Sequence, residues 1–363
     1  MPKVSIVLPT YNGEDFIRES LDSILSQTYE DWELIIVNDC SRDSTADIVE
    51  GYATLDKRIR VVHNKVNQKL PKSLNIGFRE AKGEYLTWTS DDNQYLSSAI
   101  ERMVQYLDIN ENEVMVCTRM NVVNENGNFH STFEYDDNFM MYNNCVGACF
   151  LYRRCVLEMI GEYDTFFFLV EDYEYWMRIL LHYGHIGWIN ETLYLYRMHS
   201  GSLTGTRKKD IKKQLLNMRI KYLDQIIDRY RENLTYLTMV YVEFLLEWED
   251  MSGIAERFFE IFPELRRLKK LGNEENIIAY GAGMFGDRAE KALKDRLELY
   301  LDRRAEKLGF IKNGRKVINL EQMEKYADKN ILITMSIDKI ADALLTLNSY
   351  GVDEIFVCDL TTV

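Results

Sequence analysis

A chain of 363 residues, 46% of them hydrophobic, is long enough for two or three domains with cores of their own. A formal net charge of −14 argues against general nucleic-acid binding, so no nucleic-acid partner is expected. No apolar run approaches the roughly 18–20 residues of a membrane span. Met1-Pro2-Lys3 runs straight into a strand, which reads as no signal peptide, and the six cysteines, without Cys-x-x-Cys spacing, read as reduced thiols of a cytoplasmic protein.

In chain order, residues 4–8 form a short apolar run that stops at Pro9-Thr10-Tyr11-Asn12-Gly13, because proline does not continue a central strand and Asn-Gly marks a turn. Phe16, Ile17, Ser20, Leu21, Ile24 and Leu25 then keep one helical face apolar. A second strand, 33–37, ends in Asn38-Asp39-Cys40-Ser41, and Ser44 is placed to cap a helix whose inner face is Ile48, Val49 and Tyr52. A third strand, 58–63, leads into a helix around 73–81. A fourth, 84–88, ends in Trp88-Thr89-Ser90-Asp91-Asp92-Asn93. Strands alternating with helices predict an α/β fold with a parallel, doubly wound sheet, and ligands of such sheets sit beyond the carboxyl ends of the strands. Asp91 and Asp92 offer the hard oxygens that Mg²⁺ and Mn²⁺ share with a diphosphate. The plainer alternative is an Asp N-cap for a helix starting near Leu96.

Glu171-Asp172 lies between the apolar run 165–170 and a helical stretch with Trp176, Ile179 and Leu180 inside. A carboxylate at a helix start occupies the favourable end of the helix dipole and is expected to stay ionised, as a general base must. Simple N-capping is the other reading. His199 follows the strand-like run 191–196 and precedes Ser200-Gly201-Ser202; it is either a ligand or phosphate contact, or an ordinary packed histidine.

Residues 4–13 (V-S-I-V-L-P-T-Y-N-G), 33–45, 67–77 and 83–93, followed by 147–153, 171–178 and 196–202, resemble together, in order and spacing, a family 2 glycosyltransferase of the GT-A fold over residues 1–205. The resemblance implies inverting, Mn²⁺- or Mg²⁺-dependent transfer of a hexose-type sugar from a nucleotide-sugar, usually a UDP-sugar, to a glycan, lipid-linked or protein acceptor. It implies that Pro9, Thr10 and Tyr11 hold the base and that Asp39 accepts the uracil imide hydrogen. Lys69 and Gly147, in matched segments, join the donor site. Asp91 and Asp92 share the ribose and the metal, with His199 near the metal and diphosphate. Asp172 is the expected base, beside Glu171. Arg207, after the Gly205-Thr206 hinge, either screens the leaving diphosphate from a closing loop or begins a solvated helix. The family's Asp-x-Asp falls on Thr89-Ser90-Asp91, so its first acid is replaced by Thr89. That departure leaves a second reading open: a non-catalytic nucleotide-sugar binding or scaffold protein with a retained GT-A fold.

Beyond residue 205, Ile211, Leu215, Met218, Tyr222, Ile226 and Tyr230 recur at helical spacing, and helices over 234–248 and 253–271 complete a helical connector, 206–272. Seven basic residues and one acid between Arg207 and Lys221 form either the outer face of a linker or a peripheral contact with the inner face of a membrane. Residues 273–363 read as a small Rossmann-like α/β domain. A strand at Ile277-Ile278-Ala279-Tyr280 precedes a glycine turn, Gly281 to Gly286, and a strand over 299–302 ends in Asp302. Further strands are expected at 330–335 and 353–357, with a helix over 340–347 between them. Homo-oligomerisation, docking of a partner or acceptor, and binding of a regulatory nucleotide are the open roles for this domain.

Overall fold

The computed structural model describes residues 1–140, 142–248 and 251–360. Contacts divide the chain into two units, Met1–Lys221 and Tyr222–Val363.

The first unit runs β1 (Val4–Thr10), α1 (Ile17–Leu25), β2 (Trp32–Asn38), α2 (Thr45–Leu55), β3 (Ile59–His63), α3 (Leu70–Glu80), β4 (Tyr85–Trp88), β5 (Gln94–Tyr95), α4 (Ala99–Ile109), β6 (Met115–Asn124), β7 (Phe129–Phe133), β8 (Phe150–Arg153), α5 (Arg154–Ile160), α6 (Glu171–Tyr183), β9 (Gly187–Met198), α7 (Leu203–Thr206) and α8 (Lys208–Lys221). Its nine-stranded sheet has the order β3-β2-β1-β4-β8-β6-β9-β5, with β7 paired to β6. The quartet β3-β2-β1-β4 is parallel, as the strand–helix alternation predicts. The sheet as a whole is mixed, because β8 enters antiparallel to both β4 and β6 and β5 runs antiparallel to β9. The expectation of a wholly parallel sheet is therefore corrected: regular alternation ends after α4, where β6 and β7 form a hairpin.

Two local expectations also change. β1 does not stop at Pro9 but continues to Thr10, with Pro9 opposite Val37 of β2. The Val7 carbonyl accepts from the Thr89 amide on the β4 side, and pairing with β4 ends at Val7. Pro9, two residues on, faces that same side beyond the end of β4, where its missing N–H interrupts no ladder. Ser44 stands at the start of α2 without a side-chain cap, and Asp43 Oδ1 takes the Thr45 amide instead at 3.1 Å.

One face of the sheet is closed by α1 and α4, whose Leu21, Ile24, Met103 and Leu107 pack on Ile6, Leu8, Leu34 and Ile36. On α6 and the elements around it, rings take over. Tyr163 stacks on Tyr175 at 4.1 Å, Phe150 meets Trp176 at 4.3 Å, and Trp88 Nε1 donates to the Tyr163 hydroxyl at 3.1 Å. Each such buried side chain contributes about 1.5–3 kcal/mol. Together they fix the start of α6 near the end of β4.

The second unit comprises α9 (Leu223–Tyr230), α10 (Leu234–Glu247), α11 (Ala255–Phe259), β10 (Leu268–Lys270), β11 (Ile277–Tyr280), α12 (Met284–Leu293), β12 (Leu297–Leu301), β13 (Ile311–Lys312), β14 (Arg315–Ile318), β15 (Asn330–Ile333), α13 (Ile340–Ser349) and β16 (Ile355–Val357). Its sheet has the order β10-β16-β15-β11-β12-β14-β13, parallel except for β13. With antiparallel β13 left out, the five parallel strands from β11 onward lie in the order 3-2-1-4-5, five of the six places of the doubly wound Rossmann order. The stretch expected as a connector is divided between the units. α8 is held to the first by Gln214 Nε2 on the Phe166 carbonyl (2.9 Å) and by Lys221 on Asp164 (3.0 Å), whereas α10 packs on α13. The helix expected over 253–271 is short, because Pro263 lacks an N–H and disfavours helix before it. After α11 come a 3₁₀ turn, Pro263–Arg267, and β10. Among the described residues no helix is long and apolar enough to cross a membrane.

Candidate active site

β1 and β4 are parallel neighbours, so the residues just beyond them meet. Thr10 Oγ1 donates to Asp91 Oδ2 at 2.5 Å. Gly13 packs on this contact; a Cβ there would stand 2.3 Å from Asp91 Oδ2, so any larger residue would displace the carboxylate. Burial, and then the Asp92 charge, push the Asp91 carboxyl up to about 7. Burial raises Asp92 as well, opposed by its bond to His199 Nε2 at 3.1 Å. Asp92 Oδ1 is buried with no hydrogen-bond partner. The chain leaves the pair through β5, and α4 begins only at Ala99, so neither Asp caps a helix.

Arg197 is a supporting residue that the sequence reading missed. It is buried near the end of β9 and donates to the carbonyls of Asp92 (Nε, 3.1 Å) and Glu125 (Nη1, 2.7 Å) and to Glu19 (Nη2, 2.5 Å). Its amide donates to Asn93 Oδ1 at 2.8 Å. This clamp fixes the acidic turn against β9, which carries His199 just past its end. The available signal was an arginine inside a strand run, since a buried guanidinium requires several acceptors. Thr89, at the position of the absent acid, points into the core, with its hydroxyl 2.6 Å from that of Tyr194.

Asp39, at the end of β2, is buried and accepts three hydrogen bonds: Asn64 Nδ2 and the Gln68 amide on Oδ1 (both 2.7 Å) and the Lys69 amide on Oδ2 (2.9 Å). A carboxylate has about four acceptor positions, so one remains on Oδ2. Lys69 has φ 67° and ψ 164°, a conformation other residues leave almost entirely to glycine, at a cost of about 1–3 kcal/mol. Asp39 and Asn67 hold its amide, and its ammonium lies 4.9 Å from the Phe168 ring centre. Pro9 is buried in β1, while the Tyr11 ring beside it is 45% exposed.

Glu171 and Asp172 open α6 but differ in surroundings. Glu171 is 4% exposed and turns back to accept the Leu169 amide at 2.7 Å. Burial, then the Asp172 charge, raise its carboxyl to about 8. At Glu171, burial favours the neutral acid against the pull of the helix dipole. Asp172 is partly exposed, accepts the Tyr173 amide at 2.7 Å and Asn144 Nδ2 at 3.1 Å, and is raised by burial against these bonds. Gly147, three residues after Asn144, has φ +74° and is so close to Met120 that a Cβ would stand 2.9 Å from its Cε. The Tyr196 hydroxyl, bonded to Thr204, is raised by burial and also feels the charges of both Asp92 and Asp172. The two acidic centres therefore share one neighbourhood. Arg207 is not drawn into it; it is exposed and pairs with Asp210 at 2.6 Å.

Among the described residues no group of three or more His, Cys, Asp or Glu stands ready as a metal cage. The unpartnered Asp92 Oδ1 and the repulsion within the Asp91–Asp92 pair suit a divalent cation whose remaining ligands come from a diphosphate.

Residues 5–161 match the family described as glycosyl transferase family 2. An uncharacterized glycosyltransferase of Haemophilus influenzae is 29% identical over 255 residues, which cover 65% of this chain and 74% of that protein. A putative teichuronic acid biosynthesis glycosyltransferase, TuaG of Bacillus subtilis, is 26% identical over 218 residues, covering 58% and 85%. Among solved structures, S. aureus TarS 1-349 in complex with UDP-GlcNAc superposes with a TM-score of 0.54 at 18% identity, over 72% of this chain and 82% of that one. With the sheet described above, these matches give the first unit a GT-A fold and support a glycosyltransferase domain of family 2 type over residues 5–161.

Proposed function

We propose that the first unit moves a hexose-type sugar from a UDP-sugar to a glycan, lipid-linked or protein acceptor, with inversion and with Mn²⁺ or Mg²⁺. The observation that carries this reading is the Asp91–Asp92 pair at the end of β4, with a buried carboxylate oxygen that has no partner and His199 bonded to the other. Exposed Tyr11 offers a ring face to the base, and the open position on Asp39 Oδ2 suits an imide hydrogen. The complex of TarS with UDP-GlcNAc supports that class of donor. A cation held by Asp91, Asp92 and His199 would neutralise the diphosphate as it leaves.

Asp172 takes the proton of the acceptor hydroxyl while that oxygen bonds to the anomeric carbon and the bond to the diphosphate breaks on the opposite face. Glu171, holding its own proton, places no second charge beside the base. Asn144 and the Tyr173 amide hold the Asp172 carboxylate in orientation. Thr89 has its hydroxyl committed to Tyr194, so the pair Asp91–Asp92 carries the acidic role alone.

A panel of nucleotide-sugars incubated with Mn²⁺ or with EDTA, with the anomeric configuration of the product read by NMR, tests this reading. Manganese-dependent turnover of a UDP-sugar with inversion is expected. Retention, or turnover indifferent to EDTA, contradicts it.

A further inference from the structure

We propose that the second unit carries a ligand site of its own, for a phosphorylated compound of nucleoside diphosphate size, in the cleft at the carboxyl ends of β11, β12 and β15. The cleft measures about 420 Å³, within the range of small-molecule sites. It opens where the order 3-2-1-4-5 reverses between β11 and β15, the place at which doubly wound sheets leave a crevice.

Its walls are chemically divided. Met284, Phe285, Met335 and Ala343 give an apolar side suited to a base or sugar face. Arg303, Arg304 and Lys339 stand at the rim with a single acid, Asp302, so cations predominate in a chain of net charge −14. Arg303 reaches Thr346 at 3.0 Å and Lys339 lies 3.3 Å from Asp338, exposed contacts that a phosphate can displace. Asp302 cannot repel an incoming anion strongly. Its oxygens accept the Ala282 amide (2.8 Å), the Arg304 amide (2.8 Å) and the Arg304 guanidinium (3.1 and 3.2 Å). In dinucleotide sites the matching acid binds ribose hydroxyls. Here it is consumed in bracing the turn, so recognition falls to the phosphates.

The turn is packed tightly against its own backbone and that at the end of β15. At Gly281, φ is +117° and a Cβ would stand 2.6 Å from the Thr334 carbonyl oxygen; at Gly286 a Cβ would stand 2.4 Å from that of Gly281. Lys312 donates to the Ala282 carbonyl and pairs with Asp287 at 2.6 Å, fixing the turn's carbonyl side. No side chain caps the first turn of α12, so its amides are available to an anion.

The test is calorimetric titration of the full chain with ADP and with UDP in EDTA, where the proposed metal-dependent donor site binds UDP about tenfold or more weakly. One binding event per chain is expected. It should weaken about tenfold or more in Arg303→Glu/Lys339→Glu and stay unchanged in Asp92→Ala. Both substituted positions are exposed, and an unaltered manganese-dependent UDP response would show that the double variant is folded. Absence of binding by either nucleotide in EDTA overturns the proposal, as does binding that is lost in Asp92→Ala and kept in the double variant. Failure of the donor-site reading shows separately, as Asp92→Ala leaving the manganese response intact.

Discussion

The two sheets of this protein end in opposite ways. At the carboxyl ends of the first, acids are crowded and incompletely satisfied: Asp91 is pushed up to about 7 and Asp92 keeps a buried oxygen without a partner. In the cleft at the ends of the second, the one lining acid, Asp302, is held below the usual carboxylate range, because its bonds to Arg304 and to the Ala282 and Arg304 amides outweigh its burial. Similar topology therefore yields two electrostatic surfaces. An under-satisfied acidic pair asks for a cation, and a saturated acid among arginines leaves room for an anion.

The largest effect should come from the acid beside the first site. Asp172→Asn keeps the shape of the carboxylate and one of its two accepted hydrogen bonds but loses its basicity. Transfer is expected to fall by about 10² or more while UDP binding is retained; steady-state rates and calorimetry on one preparation check this. Comparable rates for the variant and the parent chain would remove Asp172 from the role of base.

The saturated acid of the second sheet should matter for stability instead. In Asp302→Asn, one oxygen facing the Ala282 amide and the Arg304 fork becomes a donor. The loss is expected at about 1.5–3 kcal/mol, seen as faster hydrogen exchange in the turn 281–286. Because the folded Asp302 carboxyl is lowered from 3.8, its stabilisation is present above that value and disappears as pH falls through the folded pKa. Exchange in this turn that does not change in the variant would show that the bracing is incidental.

Glu171 should give the opposite slope, and the smallest change in rate. Burial, and then the Asp172 charge, raise its folded carboxyl well above its ordinary value of 4.5, so above that value the folded chain favours the extra proton. Stability from this group therefore falls as pH rises through the window between the unfolded and folded values. Glu171→Gln should remove the slope and keep most of the transfer activity. Denaturation midpoints across the window measure the first, and a dead Glu171→Gln enzyme would reverse the roles of the two acids.

The same contrast shows what could be read from the sequence. β1 to β4 were legible because parallel strands buried on both faces are continuous apolar runs, and their polar ends drew attention to Asp39, Asp91 and Asp92. Asp172 and His199 were singled out by order and resemblance. The two-residue β5 and the hairpin of β13 and β14 are too short to carry a period. The continuation through Pro9 depends on where β4 stops, a fact of register that lies 80 residues away along the chain. The raised carboxyl of Glu171 and the clamp of Arg197 are consequences of burial, which no local pattern reveals.

The central claim is that Asp91 and Asp92 hold a divalent cation in company with a nucleoside diphosphate. It is tested most directly by calorimetric titration of UDP, with and without Mn²⁺, into the parent chain and Asp92→Ala. Manganese is expected to tighten UDP binding to the parent by about tenfold or more, equivalent to about 1.4 kcal/mol, to bind only weakly without the nucleotide, and to have no effect in Asp92→Ala. UDP affinity that is the same with and without Mn²⁺ in the parent chain, or an undiminished manganese response in Asp92→Ala, would contradict the account.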